Sequence, residues 1–232
     1  MVISINNLNI FLMWILISLF VTLVLYYIYH TIRDIQLLRT VTQLNRGTRS
    51  ERNLILQLLK EGFSSNDIFH DLYIKKRDGT YSQVDIVVLT EVGVVVVEVK
   101  DFSGWIFGFG NNVNWVQFLG KMKYSFYNPI FQNEGHIRTI KNQLVEYGNI
   151  PFYSLIIFYG KCEIKKVSDI PIDTMIIKSK SSIKTFNTII QNNDSWSCYN
   201  LYELREIFNS GVCNGSIKEI KSQHIQDIKK YS

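Results

Sequence analysis

The placement of apolar residues divides the chain into a uniformly apolar front and a periodic remainder. Residues 10–28 read IFLMWILISLFVTLVLYYI, nineteen positions without a charge. As a helix rising about 1.5 Å per residue, this run spans about 28 Å, the hydrocarbon thickness of a bilayer. It is apolar on every side, unlike the helix of a soluble domain. Trp14 lies within it, and Tyr26, Tyr27 and Tyr29 close it as interfacial aromatics do. The rival is a cleaved signal peptide, which has a basic start, a shorter apolar core and small residues at the cut. The first nine residues hold no Lys or Arg, and no such cut site follows. A transmembrane anchor over residues 1–30 is therefore the expectation. Arg33, Arg39, Arg46, Arg49 and Arg52 all follow it. The positive-inside rule then places the bulk of a single-pass cell-membrane protein in the cytoplasm. Residues 31–47 are expected to be a helical juxtamembrane stalk, its arginines within reach of anionic headgroups.

From Thr48 onward the pattern becomes periodic. Thr48 and Glu51 form a Thr-x-x-Glu capping box, Leu54, Ile55, Leu58 and Leu59 an apolar stripe, and Gly62 a stop. Residues 69–74 predict a strand and 76–80 (KRDGT) a turn. The stretch 84–100, VDIVVLTEVGVVVVEVK, predicts a hairpin. Further strands are expected at 105–109 and 113–118 around a Gly-Asn turn. Asn128-Pro129 has the form of an N-cap with proline at the first helical position. It predicts a helix to about Tyr147 with Ile137, Ile140 and Leu144 inward. Strands at 152–159 and 173–178 alternate with helices at 182–191 and 201–210, and a short last helix holds His224 and Ile225. Strands first, then alternation, imply an α/β fold with a mixed sheet flanked by helices. Residues 48–232 would form this domain, with a core over 48–160.

Composition narrows the class. The chain has 232 residues, 47% hydrophobic and 19% charged, with a formal net charge of +5. That suffices for one ordinary domain plus an appendage, with a mildly basic balance suited to a polyanion or an anionic membrane. The cysteines are Cys162, Cys198 and Cys213, without CxxC spacing. This argues against a disulfide framework and a zinc site.

The hairpin raises the chemical question, because charges end two apolar strands. With the turn centred between Glu91 and Val92, antiparallel pairing sets Asp85 opposite Glu98, with Cβ atoms about 5 Å apart. Lys100 shares the face of Glu98, and Gln83 lies opposite Lys100. Two carboxylates so close repel, and a divalent cation removes the conflict. Mg²⁺ takes one or two carboxylates and completes its octahedron with water and phosphate oxygens. Two acids and a lysine around such an ion suit phosphodiester hydrolysis. A salt-bridged strand end, Lys100 with Asp85 or Glu98, is the plain alternative.

Ser50-Glu51, Gln83-Val84-Asp85, Gly93 through Glu98-Val99-Lys100, Gly104, Trp115, and Asn128-Pro129 with Gln132 occur in that order. Over roughly residues 48–151 the chain resembles the nuclease-related domain (NERD), a branch of the PD-(D/E)xK nucleases. The resemblance implies a restriction-endonuclease-like core, Asp85 and Glu98 as ligands of Mg²⁺ or Mn²⁺, and Lys100 as catalytic lysine. It also implies supporting roles for Glu51 on the first helix and Gln132 in the first turn of a later one. For Glu51 the plain alternative is a helix cap; for Gln132 it is an exposed side chain. Val84 stands where the superfamily's name has proline. Asp101 should point away from Lys100 by parity; pairing with that lysine would count against activity.

Other positions carry less. His136 is expected to face solvent, and His30, His70 and His224 are given no role. Gly104, Gly108 and Gly110 suit turns and bulges. Lys121, Lys123, Arg138 and Lys141 read as a solvated face, or as a basic surface with Trp115 and Tyr124 that tracks nucleic acid. The expectation is a membrane-anchored, Mg²⁺-dependent nuclease with nucleic acid, DNA first, as its partner. Its alternative is a non-catalytic module binding nucleic acid or protein at the membrane.

Overall fold

The computed structural model describes residues 2–196 and 200–231. The chain divides into two compact units, Met1–Thr40 and Val41–Ser232. The first is helix α1 (Val2–Leu38). Residues Asn9–Leu38 are long and apolar enough to cross a membrane, with a mean hydropathy of 2.4 and none of the most apolar window buried. A signal sequence meets the same criterion. The helix ends at Leu38 rather than continuing to Arg46. Within the second unit Thr42 and Arg46 are buried, because their polar groups find partners on the first strand: His70 for Thr42 and Asp71 for Arg46.

Helix α2 (Arg49–Glu61) starts and stops where its local signals place it. The Glu51 N–H donates to Thr48 Oγ1 at 3.2 Å. Gly62 adopts φ 102°, and its N–H reaches the carbonyls of Leu58 and Leu59. Only glycine takes that left-handed conformation without a steric penalty.

Five strands form the first sheet: β1 (Ile68–Lys75), β2 (Tyr81–Thr90), β3 (Gly93–Asp101), β7 (Phe152–Tyr159) and β9 (Thr174–Lys178), in the order β1-β2-β3-β7-β9. The β1–β2 and β2–β3 pairs are antiparallel, and β7 joins β3 and β9 in parallel. A second mixed sheet has the order β6-β5-β4-β8, from β4 (Gly104–Phe109), β5 (Asn114–Leu119), β6 (Met122–Tyr127) and β8 (Cys162–Ser168). The fold is thus α/β with two mixed sheets rather than one. The extra strands β6 and β8 are the edges of the second sheet. Edge strands bury little, so their apolar alternation is weak, and β6 is mostly exposed.

Helix α3 (Pro129–Gln143) packs on β3 and β7. It ends earlier than expected, and a short 3-10 turn (Val145–Tyr147) follows. Helix α4 (Ser182–Gln191) packs on α2, and α5 (Leu201–Asn214) on β1. Helix α6 (Lys218–Tyr231) holds His224 and is longer than the expected short helix. Ile140, Leu144, Leu204 and Phe208 join Val84, Val94 and Val96 in one core. A second core stacks Trp115 on Phe158, with ring centroids 6.4 Å apart and planes 5° apart. Asn128 pins α3 beside it. Its amide donates to the Gly110 and Asn112 carbonyls at 2.9 and 2.7 Å, and its carbonyl caps Ile130 N. Cys162 and Cys213 are free thiols, whereas Cys198 lies outside the described residues.

Candidate functional site

The β2–β3 ladder runs from Thr90↔Gly93 to Ile86↔Val97. Continued by one step, this register, the one anticipated from the turn, would set Asp85 opposite Glu98, but the paired ladder ends at Ile86. There the two strands part, and the Val99 N–H donates to Asp85 Oδ2 at 2.8 Å instead of to a strand carbonyl. β7 continues to pair with the other edge of β3, with Glu98↔Ile156 and Lys100↔Phe158 in register.

Glu98 and Lys100 project from β3 toward α3. Lys100 Nζ lies 2.6 Å from Glu98 Oε1 and donates to Gln132 Oε1 at 2.9 Å. His136, one helical turn beyond Gln132, brings Nε2 to 3.3 Å from Glu98 Oε2. Its other ring nitrogen, Nδ1, meets Ser82 Oγ at 2.8 Å. Yet neither Glu98 Oε2 nor His136 Nε2 has a properly directed hydrogen bond, and both atoms are buried. Buried polar atoms are costly to leave unpaired, so this 3.3 Å contact, short of good hydrogen-bond geometry, leaves both atoms able to take a further partner. His136 is therefore a buried neighbour of the acid, not a solvent-facing residue.

The two acids are driven in opposite directions. Burial, then the charges of Glu98 and Glu51, push the Asp85 carboxyl well above the ordinary carboxylate range. Burial would also raise Glu98, but His136 and Lys100 more than offset it and hold that carboxyl below its usual value. Neighbouring carboxylates whose pKa values split this way resemble those of acid–base and metal sites.

Glu51 occupies a different setting. Its Oε1 accepts from Thr48 Oγ1 at 2.7 Å, and its Oε2 meets His70 Nε2 at 2.9 Å. Against the penalty of burial, these partners hold its carboxyl below the usual range. His70 is itself fixed, with Nδ1 2.7 Å from Thr42 Oγ1. Glu51 thus holds the Thr48 cap of α2 and also acts on Asp85 through its charge. Asp101 points away from Lys100, as its parity requires, and accepts from Ser50 Oγ at 2.5 Å. Gln83 does not join the cluster. It donates to Asp71 Oδ1 at 2.9 Å, while Arg46 binds Asp71 Oδ2 at 3.2 Å.

Residues 46–159 match the family model of the nuclease-related domain, a stretch that contains Glu51, Asp85, Glu98, Lys100, Gln132 and His136. This segment is a nuclease-related domain. Its family belongs to the PD-(D/E)xK-like nuclease superfamily. An uncharacterized protein of Bacillus anthracis is similar, at 28% identity over 190 residues, covering 78% of this chain and 82% of the relative. No solved structure matches the chain.

Within the nuclease-related domain, the expected residues divide by contact. Glu98, Lys100 and Gln132 touch directly, Asp85 reaches them through the Val99 amide and its field, and Glu51 stands apart with His70. His136 and His70 escape sequence reasoning, because their partners lie 54 and 28 residues away along the chain. The one local signal is the spacing of His136 four residues after Gln132. His224 is also engaged, with Nδ1 3.0 Å from Tyr81 O. Trp115 is no stacking platform, since it is fully buried and donates to Phe109 O at 2.9 Å.

Among the described residues, no three of His, Cys, Asp and Glu stand where they could jointly hold a metal ion. Mg²⁺ requires fewer protein ligands, because water and phosphate fill the remainder of its shell. Asp85 and Glu98 fit that demand: both supply hard oxygen donors, and Glu98 Oε2 is buried and unsatisfied.

Proposed function

We propose that the chain is a membrane-anchored nuclease hydrolysing phosphodiester bonds of DNA, with Asp85 and Glu98 as the residues for Mg²⁺ or Mn²⁺. The observation that carries the reading is Glu98: one oxygen is gripped by Lys100 and the other is buried 3.3 Å from His136 Nε2, without a well-directed hydrogen bond. When bound, the ion supplies Lewis acidity at a phosphoryl oxygen and a more acidic water. The chain's own groups do the rest. Lys100 orients the attacking water and offsets negative charge that grows on the phosphate. Gln132 fixes the Lys100 side chain by accepting a hydrogen bond from it, and Glu51 adds to the field that keeps Asp85 ready for a cation. The anchor is α1, and the arginines that follow it favour a cytoplasmic domain.

One observation favours a second reading, a non-catalytic binding module. No ready three-residue metal cluster exists among the described residues. The full-length protein in detergent, incubated with DNA and RNA in Mg²⁺ or Mn²⁺, separates the two. The nuclease reading expects metal-dependent cleavage of DNA that Lys100→Ala and Glu98→Ala abolish. Intact DNA and RNA under both metals would leave the binding module.

A further inference from the structure

A cleft of about 560 Å³ opens between the β1–β2 turn and α3. Gln132 and His136 line it, and the same two side chains reach Lys100 and Glu98. Whatever lies in the cleft is therefore in contact with the groups that hold the candidate site. Lys75 at the end of β1 and Lys76 and Arg77 of the turn line the cleft on one side, and Arg138 of α3 lines it on the other. Asp78 also lines it, but its carboxylate is occupied within its own turn by the N–H and hydroxyl of Thr80, at 2.9 and 2.7 Å. The buried His136 Nε2 lacks a directed hydrogen bond. Tyr127 of β6 completes the wall, 51% exposed.

We infer that this cleft holds a single strand of nucleic acid, its phosphates against the four cationic side chains and a base stacked on Tyr127. The inference rests on the nuclease reading for its direction and names the strand form that the site takes. Two features select one strand. An exposed aromatic ring beside cations stacks unpaired bases, whose faces a duplex hides. The volume also falls in the range of about 300–1,000 Å³ that takes a molecule of nucleotide size, too small for a double helix.

The test measures binding without chemistry. Full-length protein in neutral-lipid nanodiscs, with EDTA present, is titrated with fluorescent oligo(dT) and with a matched duplex over a series of salt concentrations. Oligo(dT) should bind about tenfold tighter than the duplex. The Lys76→Ala/Arg77→Ala pair should weaken oligo(dT) binding about tenfold. It should also reduce the slope of log K against log salt by about 0.7 for each phosphate that is no longer neutralised. Tyr127→Ala should cost about tenfold with the slope unchanged, as expected of stacking. Lys184→Ala, an exposed site on α4 outside the cleft, serves as the control. The inference is overturned if the cleft pair behaves like Lys184→Ala, or if duplex binds as tightly and Tyr127→Ala has no effect. A protein that binds as described yet never cuts keeps the cleft and loses the nuclease reading. One that cuts but ignores the cleft variants does the reverse.

Discussion

Lys100 Nζ sits 2.6 Å from Glu98 Oε1, two residues back on the same strand and the same face. The pair is largely withdrawn from water, with side-chain exposures of 18% for Lys100 and 2% for Glu98. Removing the amine leaves a buried carboxylate with the His136 imidazole still beside it. Lys100→Ala should therefore destabilise the fold by about 1–3 kcal/mol as well as remove cleavage. Lys100→Arg should recover most of the stability, because it keeps the charge. Its flat guanidinium cannot hold water as an ammonium does, so cleavage should stay at least about a hundredfold down. Full activity in Lys100→Arg would remove the lysine from the chemistry.

Asp85 gives a pH-dependent signature. Its pKa in the folded protein is raised, so the stability it contributes is present below the unfolded value of about 4 and is lost as pH rises through the folded value. At neutral pH the metal-free protein carries this penalty. Asp85→Asn should raise the thermal midpoint there by about 2–4 °C, and the gain should vanish at acid pH. Added Mg²⁺ should stabilise the wild type by mass action but not the variant. An equal response of both proteins to Mg²⁺ would place the ion elsewhere.

Glu51 should behave in the opposite sense. Its lowered pKa means a contribution that is present above about pH 4.5 and lost as pH falls through the depressed value. Glu51→Gln should flatten the acid limb of the stability profile. His70→Ala should cost about 2–4 kcal/mol, since it strands the buried groups of both Thr42 and Glu51. An unchanged acid limb in Glu51→Gln would mean that the His70 contact does not govern this carboxyl.

The second core rests on Asn128 and Gly108. Asn128→Ala removes two bonds to turn carbonyls and the cap of α3, and should cost about 2–4 kcal/mol. A Cβ at Gly108 would collide with the Trp115 ring, so Gly108→Ala should also lower the thermal midpoint. A neutral outcome at both positions would mean that this packing is dispensable.

Fractionation tests the anchor. The full chain should remain with the membrane after an alkaline wash, and deletion of residues 2–38 should release the rest. A mature protein in the medium lacking residues 1–30 would instead identify a signal peptide.

Helix α2 is legible in the sequence because its cap, stripe and stop are local. The register that would set Asp85 opposite Glu98 is legible for the same kind of reason: a hairpin's register is set by its turn, and side chains alternate with a period of two residues. Asp101 points away from Lys100 on that same parity. Residues 10–28 are legible, by length and apolarity alone, as part of a helix long and apolar enough to cross a membrane. What the tertiary structure decided are the meetings of distant segments. His136 lies against Glu98 because α3 is laid over β3, and His70 lies against Glu51 because β1 passes the start of α2. Gln83 turns to Asp71 because β1, unseen in the hairpin pattern, offers a nearer partner. The burial of Trp115 and the existence of edge strands β6 and β8 follow from how two sheets are assembled. Local sequence carries turns, caps and alternation, whereas which polar atoms end up buried together depends on long-range packing that no short window contains.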